Sequence, residues 1–126
     1  MNGNSILLDT NIVLYLLSGD KDLATLLDGK KLYVSFITQL ELLGFQGISI
    51  QEQKVVKRFL GDCIVIDINN QIKEEVIKIK RSQNLKLPDS IILATSKYLN
   101  IPIISSDKAF SKLDDLEIIY YERGGI

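Results

Sequence analysis

Short runs of β-branched and apolar residues alternate along this chain with longer stretches in which apolar positions recur every three or four residues. Strands are predicted at 5–8 (SILL), 31–35 (KLYVS), 63–66 (CIVI), 102–105 (PIIS) and 117–121 (EIIYY). Helices are predicted at 11–17, 21–28, 37–46, 51–61, 70–83 and 89–99, with a short one at 108–113. The 70–83 segment carries the plainest helical period, with Ile72, Val76 and Ile79 at i, i+4 and i+7 and charge between them. Pro88 suits the first turn of the next helix, and Asn100-Ile101-Pro102 ends it. Strands alternating with helices predict an α/β fold around a central, mainly parallel five-stranded sheet. In such a sheet all strands point their carboxyl ends to one edge, where ligands bind.

Four acidic residues fall near that edge: Asp9 in ILLDTN, Glu41 in ITQLELLGF, Asp89 in KLPDSIILA and Asp107 in IISSDKAF. Each is embedded among apolar residues, where an unpaired carboxylate is costly to bury. Asp9 directly follows the first strand and Asp107 lies just past the fourth. Glu41 sits about one turn into the helix after the second strand, and Asp89 begins a helix that can start beside the same edge. Singly, each has a plain reading. Asp9, Asp89 and Asp107 are favourable helix caps, and Glu41 could mark a solvent face. Together they predict convergence on a hard divalent cation, Mg2+ or Mn2+, which takes oxygen ligands. Such ions activate water and stabilise charge on a phosphoryl group or leaving alkoxide. Thr10 and Ser105 are placed to hold the carboxylates by their hydroxyls. Asp67 also follows a strand, but it reads as a turn residue with Asp20, Asp22, Asp28, Asp62, Asp114 and Asp115.

Composition narrows the chemistry. The chain has no histidine, which excludes a histidine base and histidine-ligated zinc, so the acids must carry any catalysis. Cys63 is the only cysteine, which rules out an internal disulfide and predicts a buried strand residue. A length of 126 residues is usual for one domain. The longest apolar run, Ile12 to Leu17, is far short of the roughly 20 residues a membrane span needs. The opening MNGNSILLDTN has neither the basic segment nor the cleavage site of a secretory leader, and a cytoplasmic location is expected. Net charge is −1, so any polyanion must be held by a local basic patch and bound metal.

The ordered segments ILLDTNIVLYLL, VSFITQLELLGF and LPDSIILATSKYLNIPIISSDKAF resemble the PIN domains, most closely the VapC-type toxins of toxin–antitoxin pairs. The resemblance spans essentially the whole chain, residues 1–126, as one domain. It implies a three-layer α/β/α fold and a metal-dependent ribonuclease in which Asp9, Glu41, Asp89 and Asp107 bind Mg2+ or Mn2+. Thr10, Asn11 and Ser105 would support them, with Ser105 standing where relatives commonly have Thr. Asp107 is expected to act more through orientation than the others. The resemblance further implies an RNA substrate, a homodimer and an antitoxin partner that blocks the acidic site.

Lys73, Lys78, Lys80, Arg81 and Lys86 precede Asp89 and could hold phosphates, as could Lys108. A solvated face, with Glu74 and Lys78 as an i,i+4 pair, is the plainer account of that run. Tyr120, Tyr121 and Arg123 read equally as packing or stacking residues. The 11–17 helix is apolar all round, which predicts burial in the core or an interface. Two other functional classes remain open. A haloacid-dehalogenase-type phosphatase also places Asp after its first strand, but its second Asp, two residues on, is replaced here by Asn11. A non-catalytic scaffold or regulatory subunit would use the acids for structural metal only.

Overall fold

Local signals start and stop the helices. Asp9, Asp20, Ser35, Ser49 and Asn69 stand in extended backbone, and each side chain accepts an N–H from the turn that follows. They open α1 (Thr10–Leu17), α2 (Lys21–Leu27), α3 (Phe36–Leu43), α4 (Ile50–Gly61) and α5 (Asn70–Ser82). Ser49 and Glu52 complete a reciprocal capping box, with N···O distances of 2.9 and 3.0 Å. The sixth helix, α6 (Leu87–Leu99), carries Pro88 in its first turn and ends on Asn100 in the left-handed region, φ 54°. It begins at Leu87 rather than at Asp89. Proline is preorganised for a first turn, so Asp89 lies inside that turn instead of capping it.

This computed structural model describes residues 3–112 and 115–123. The short helix expected at 108–113 is a 3-10 helix, Lys108–Lys112, with residue 113 outside the described residues. β1 (Ser5–Leu8), β2 (Lys31–Ser35), β3 (Ile64–Ile66), β4 (Ile103–Ser105) and β5 (Ile118–Tyr120) form one sheet in the order β3-β2-β1-β4-β5. All four pairings are parallel. The chain steps outward from β1 to β3, then crosses back to place β4 on the other side of β1. Connections leave β1 and β4 in opposite directions, which makes a topological switch point and opens a crevice at the carboxyl edge.

Alternation along the central strands divides the core into two layers. Ile6, Leu8, Val34 and Ile104 pack with buried residues of α1 to α4 on one face. Leu7 and Ile103 pack with Ile72, Val76 and Ile79 of α5, with Ile92 and Leu93 of α6, and with Phe110 on the other. The three-layer α/β/α arrangement follows from this period-2 reversal. Helix α1 is only partly buried: Ile12 and Val13 are in the core, while Leu14 is 47% exposed. Cys63 departs from expectation. It lies in the bend before β3, half-buried, because the chain leaves α4 with the Cys63 N–H still bonded to Leu60 O at 3.1 Å. Partial burial pushes its thiol up to about 11, away from the reactive thiolate. Among the described residues no helix is long and apolar enough to cross a membrane.

Leu7 is fully buried on the central strand, so Leu7→Ala leaves a void between sheet and α5/α6. Denaturant unfolding should show a loss of about 2–5 kcal/mol. A loss below about 1 kcal/mol would contradict this packing.

Candidate active site

Asp9 directly follows β1, and the residue is buried at 6% exposure. Both oxygens are held: Thr10 N–H donates to Oδ1 at 2.8 Å, and the fully buried Ser105 hydroxyl donates to Oδ2 at 2.7 Å. Ser105 closes β4, the strand paired with β1, so the bond spans the switch point. The same hydroxyl accepts the Asp107 N–H at 3.0 Å. One serine therefore ties the first acid to the backbone of the fourth.

Glu41 projects from α3, and Thr10 Oγ1 donates to its Oε1 at 2.7 Å. Thr10 Oγ1 also lies 2.9 Å from Thr38 Oγ1. Thr10 thus touches Asp9 through its amide and Glu41 through its hydroxyl. Thr38 was not among the residues singled out from sequence. The available signal was its place three residues before Glu41, on the same face of a mostly apolar helix.

Asp89 stands half-buried in the first turn of α6, where free N–H groups favour negative charge. Asp107 follows β4, and its Oδ1 accepts the Ala109 N–H at 2.9 Å, capping the 3-10 turn. The cap readings for Asp9 and Asp107 are therefore correct as far as they go. They account for part of each carboxylate's bonding and not for the gathering of the four.

All four acids line one cavity of about 690 Å³, together with Thr10 and Asn11. Leu14, Leu17, Leu42, Phe45, Ile48, Val55 and Val56 form its apolar side. Among the described residues no lysine or arginine is in the wall. Burial is the main cause that raises Asp9 above the ordinary carboxylate range, with Asp107 and Glu41 adding to it and the Ser105 and Thr10 bonds opposing it. Asp89 is also raised, first by burial and then by Asp9, Asp107 and Glu41, with Lys86 opposing. Oxygen donors under mutual repulsion suit a hard divalent cation in kind. No group of three acids among the described residues is gathered closely enough to hold an ion unaided. An ion here would need bound water or carboxylate rotation to complete its shell, and Mg2+ usually keeps several waters.

Other residues sort clearly. Glu52 also lines the cavity, but the Ser49 N–H and hydroxyl hold its carboxyl below the ordinary range, as its capping role requires. Asn11 is exposed on the wall. Lys86, Arg81 and Lys108 stand outside it; Lys108 lies over the Tyr120 ring, 5.9 Å from the centroid. Lys80 donates to Leu85 O at 2.6 Å and staples the α5–α6 loop. Lys78 pairs with Glu75 at 3.8 Å rather than with Glu74. Tyr121 and Arg123 are packing residues. The Tyr121 hydroxyl donates to the Asp20 carboxylate, 2.9 Å from Oδ2, and Arg123 lies 4.9 Å from the Tyr15 ring centroid. Asp67 is outside the wall, accepting the Ile68 N–H at 2.8 Å, in keeping with a turn role.

The fold and cavity define a parallel α/β protein with carboxylates gathered at its sheet switch point. The family model for the PIN domain matches residues 6–116, and the chain belongs to that family. No curated protein matches it in sequence. Solved structures do match it in fold. A chain of the toxin–antitoxin complex from Klebsiella pneumoniae is 28% identical with a TM-score of 0.80, covering 93% of this chain and 98% of that one. VapBC-1 from nontypeable Haemophilus influenzae is 26% identical with a TM-score of 0.75, covering 92% and 97%. VapBC2 from Rickettsia felis, at 18% identity and a TM-score of 0.78 over 94% and 99%, shares the fold. The VapC-type resemblance read from the residues agrees with these neighbours.

The raised acids make a testable demand on stability. With Asp9 and Asp89 raised above the ordinary aspartate range, the folded state binds more protons than the unfolded one across that window. Stability of the metal-free protein should therefore fall as pH rises from about 4 through the raised native values. Asp89→Asn removes one of these groups. Thermal unfolding at pH 7 in EDTA should show a midpoint a few degrees above wild type, with a shallower decline from pH 4 to 7. A lower midpoint at neutral pH would mean that the ionised Asp89 stabilises the fold.

Proposed function

We propose that this chain is a divalent-metal-dependent endoribonuclease and the toxin of a toxin–antitoxin pair, acting as a single PIN domain. The observation that carries this reading is the shared wall, which Asp9, Glu41, Asp89 and Asp107 line with no cationic side chain among the described residues. In this reading the four acids hold Mg2+ or Mn2+. Asp107 contributes more through orientation, since its carboxylate is engaged by Ala109 and its amide by Ser105. Bound divalent charge would supply water activation and stabilisation of the departing oxygen.

The protein's own groups do the rest. Thr10 N–H and Ser105 hold Asp9 at the end of β1, and the Thr10 hydroxyl holds Glu41. The apolar side of the cavity limits water around the reacting phosphate, which strengthens electrostatic contacts there. Lys86, Arg81 and Lys108 would meet RNA phosphates at the rim rather than inside.

The partner reading rests on the same cavity. Leu14 (47% exposed), Phe45 (63%) and Val55 (41%) present apolar surface beside the acids. Structural neighbours include a toxin–antitoxin complex and VapBC. An apolar antitoxin segment laid along this groove would cover the acids, and a homodimer belongs to the same proposal. A short neighbouring reading frame with a DNA-binding N-terminus is the expected genetic context.

The decisive assay is cleavage of RNA by purified protein. Activity should require Mg2+ or Mn2+ and disappear in EDTA. Asp9→Asn and Asp89→Asn should each lower the rate by about 100-fold or more, as removal of a charge-stabilising group does. Asp67→Asn, outside the cavity, should match wild type. Full activity in either cavity variant, or undiminished cleavage in EDTA, overturns the proposal.

A further inference from the structure

Glu41 is an exposed residue of α3, and the hydroxyl of Thr10 donates to its carboxylate. A hydroxyl carries one proton, and a carboxylate has none to donate. The Thr10 proton is therefore committed to Glu41, at 2.7 Å. Thr38 Oγ1, 2.9 Å from Thr10 Oγ1, must then be the donor in the second contact. The proton order runs in one direction, from Thr38 to Thr10 to Glu41.

Thr38 is fully buried in the first turn of α3, where a hydroxyl needs a partner. Three other helical hydroxyls return to the backbone of the preceding turn. Ser82, Ser90 and Thr95 donate to the carbonyl four residues back at 3.1, 3.0 and 2.7 Å. The Thr38 hydroxyl instead meets a residue of α1, across the α1–α3 junction. It joins the helix that bears Glu41 to the turn that bears Asp9.

We propose that Thr38 is a positioning residue: its buried hydroxyl orients the Thr10 proton toward Glu41 and so sets the affinity of the acidic cavity for a divalent cation. This rests on the metal-dependent reading above. Without the Thr38 donor, the Thr10 hydroxyl can turn among its staggered positions. Glu41, on a side chain with three rotatable bonds, then loses its fixed place in the wall. Outer partners of metal-holding groups typically contribute about 10-fold to 100-fold in affinity. A loss near 10-fold is expected, because the Glu41 carboxylate itself remains.

The test is Mn2+ binding to EDTA-stripped protein by calorimetry, paired with thermal unfolding of each metal-free variant. Thr38→Val, nearly isosteric but without the hydroxyl, should weaken Mn2+ binding by about 10-fold while its metal-free unfolding midpoint stays at or above that of wild type. Thr38→Ser should keep wild-type affinity. Thr38→Ala compared with Thr38→Ser isolates the hydroxyl, and decides the matter if the valine variant does not fold. Glu41→Gln should weaken binding, and adding Thr38→Val to it should weaken it no further, because the two act as one unit. Wild-type affinity in both Thr38→Val and Thr38→Ala, with Glu41→Gln weakened, overturns the positioning role alone. Wild-type affinity in Glu41→Gln overturns the metal reading of Glu41, and this inference with it.

Discussion

The acidic cavity depends on one buried carboxylate, Asp9, held at the point where β1 and β4 run side by side. The Ser105 hydroxyl reaches it from the neighbouring strand and the Thr10 amide from the helix that follows. Without those donors the carboxylate of a residue at 6% exposure would be a strongly unfavourable burial. With them it becomes a fixed reference around which the other acids are placed. Ser105 also fixes the backbone of Asp107, and Thr10 also fixes Glu41. Two small hydroxyl residues thus link the carboxylates of Asp9 and Glu41 to the backbone of Asp107.

The cavity sets local electrostatics against local packing. Desolvation and mutual repulsion both raise Asp9 and Asp89, so the metal-free protein holds these groups at some expense in stability at neutral pH. Natural folds tolerate such conflicts at functional sites when the surrounding structure over-determines them. Here the surroundings are two apolar layers locked to a sheet whose central residues are almost wholly buried. The same rigidity explains the hydroxyl chain through Thr38, since a buried donor is useful only if its acceptor cannot drift.

Much of the fold was legible because its signals are local. The Ile72-Val76-Ile79 period placed α5, and Pro88 marked the first turn of α6, although the sequence boundary at Asp89 fell two residues late. Short β-branched and apolar runs placed the strands, and their alternation with helices implied a parallel sheet. Cys63 was misread because an edge strand and the bend before it share the same apolar composition; only neighbouring elements decide which residue is covered. Lys80 and Lys78 read from sequence as part of a solvated face, with Lys78 paired to Glu74. One is tied to a loop carbonyl and the other to Glu75, partners a linear pattern does not rank.

The sequence by itself determined the chemical inventory and the edge at which it would be found. Without histidine, and with acids following strands one and four, oxygen-ligand chemistry at the carboxyl edge was the consistent reading. The tertiary structure decided which groups meet. It joined Ser105 to Asp9 across 96 positions of sequence and Thr10 to Glu41 across 31. It brought Thr38 into that chain of hydroxyls and left Asp67 outside the cavity, although Asp67 also follows a strand. The physical reason is that proximity between distant side chains is set by strand order and helix packing, for which a single residue's neighbours in sequence carry no signal.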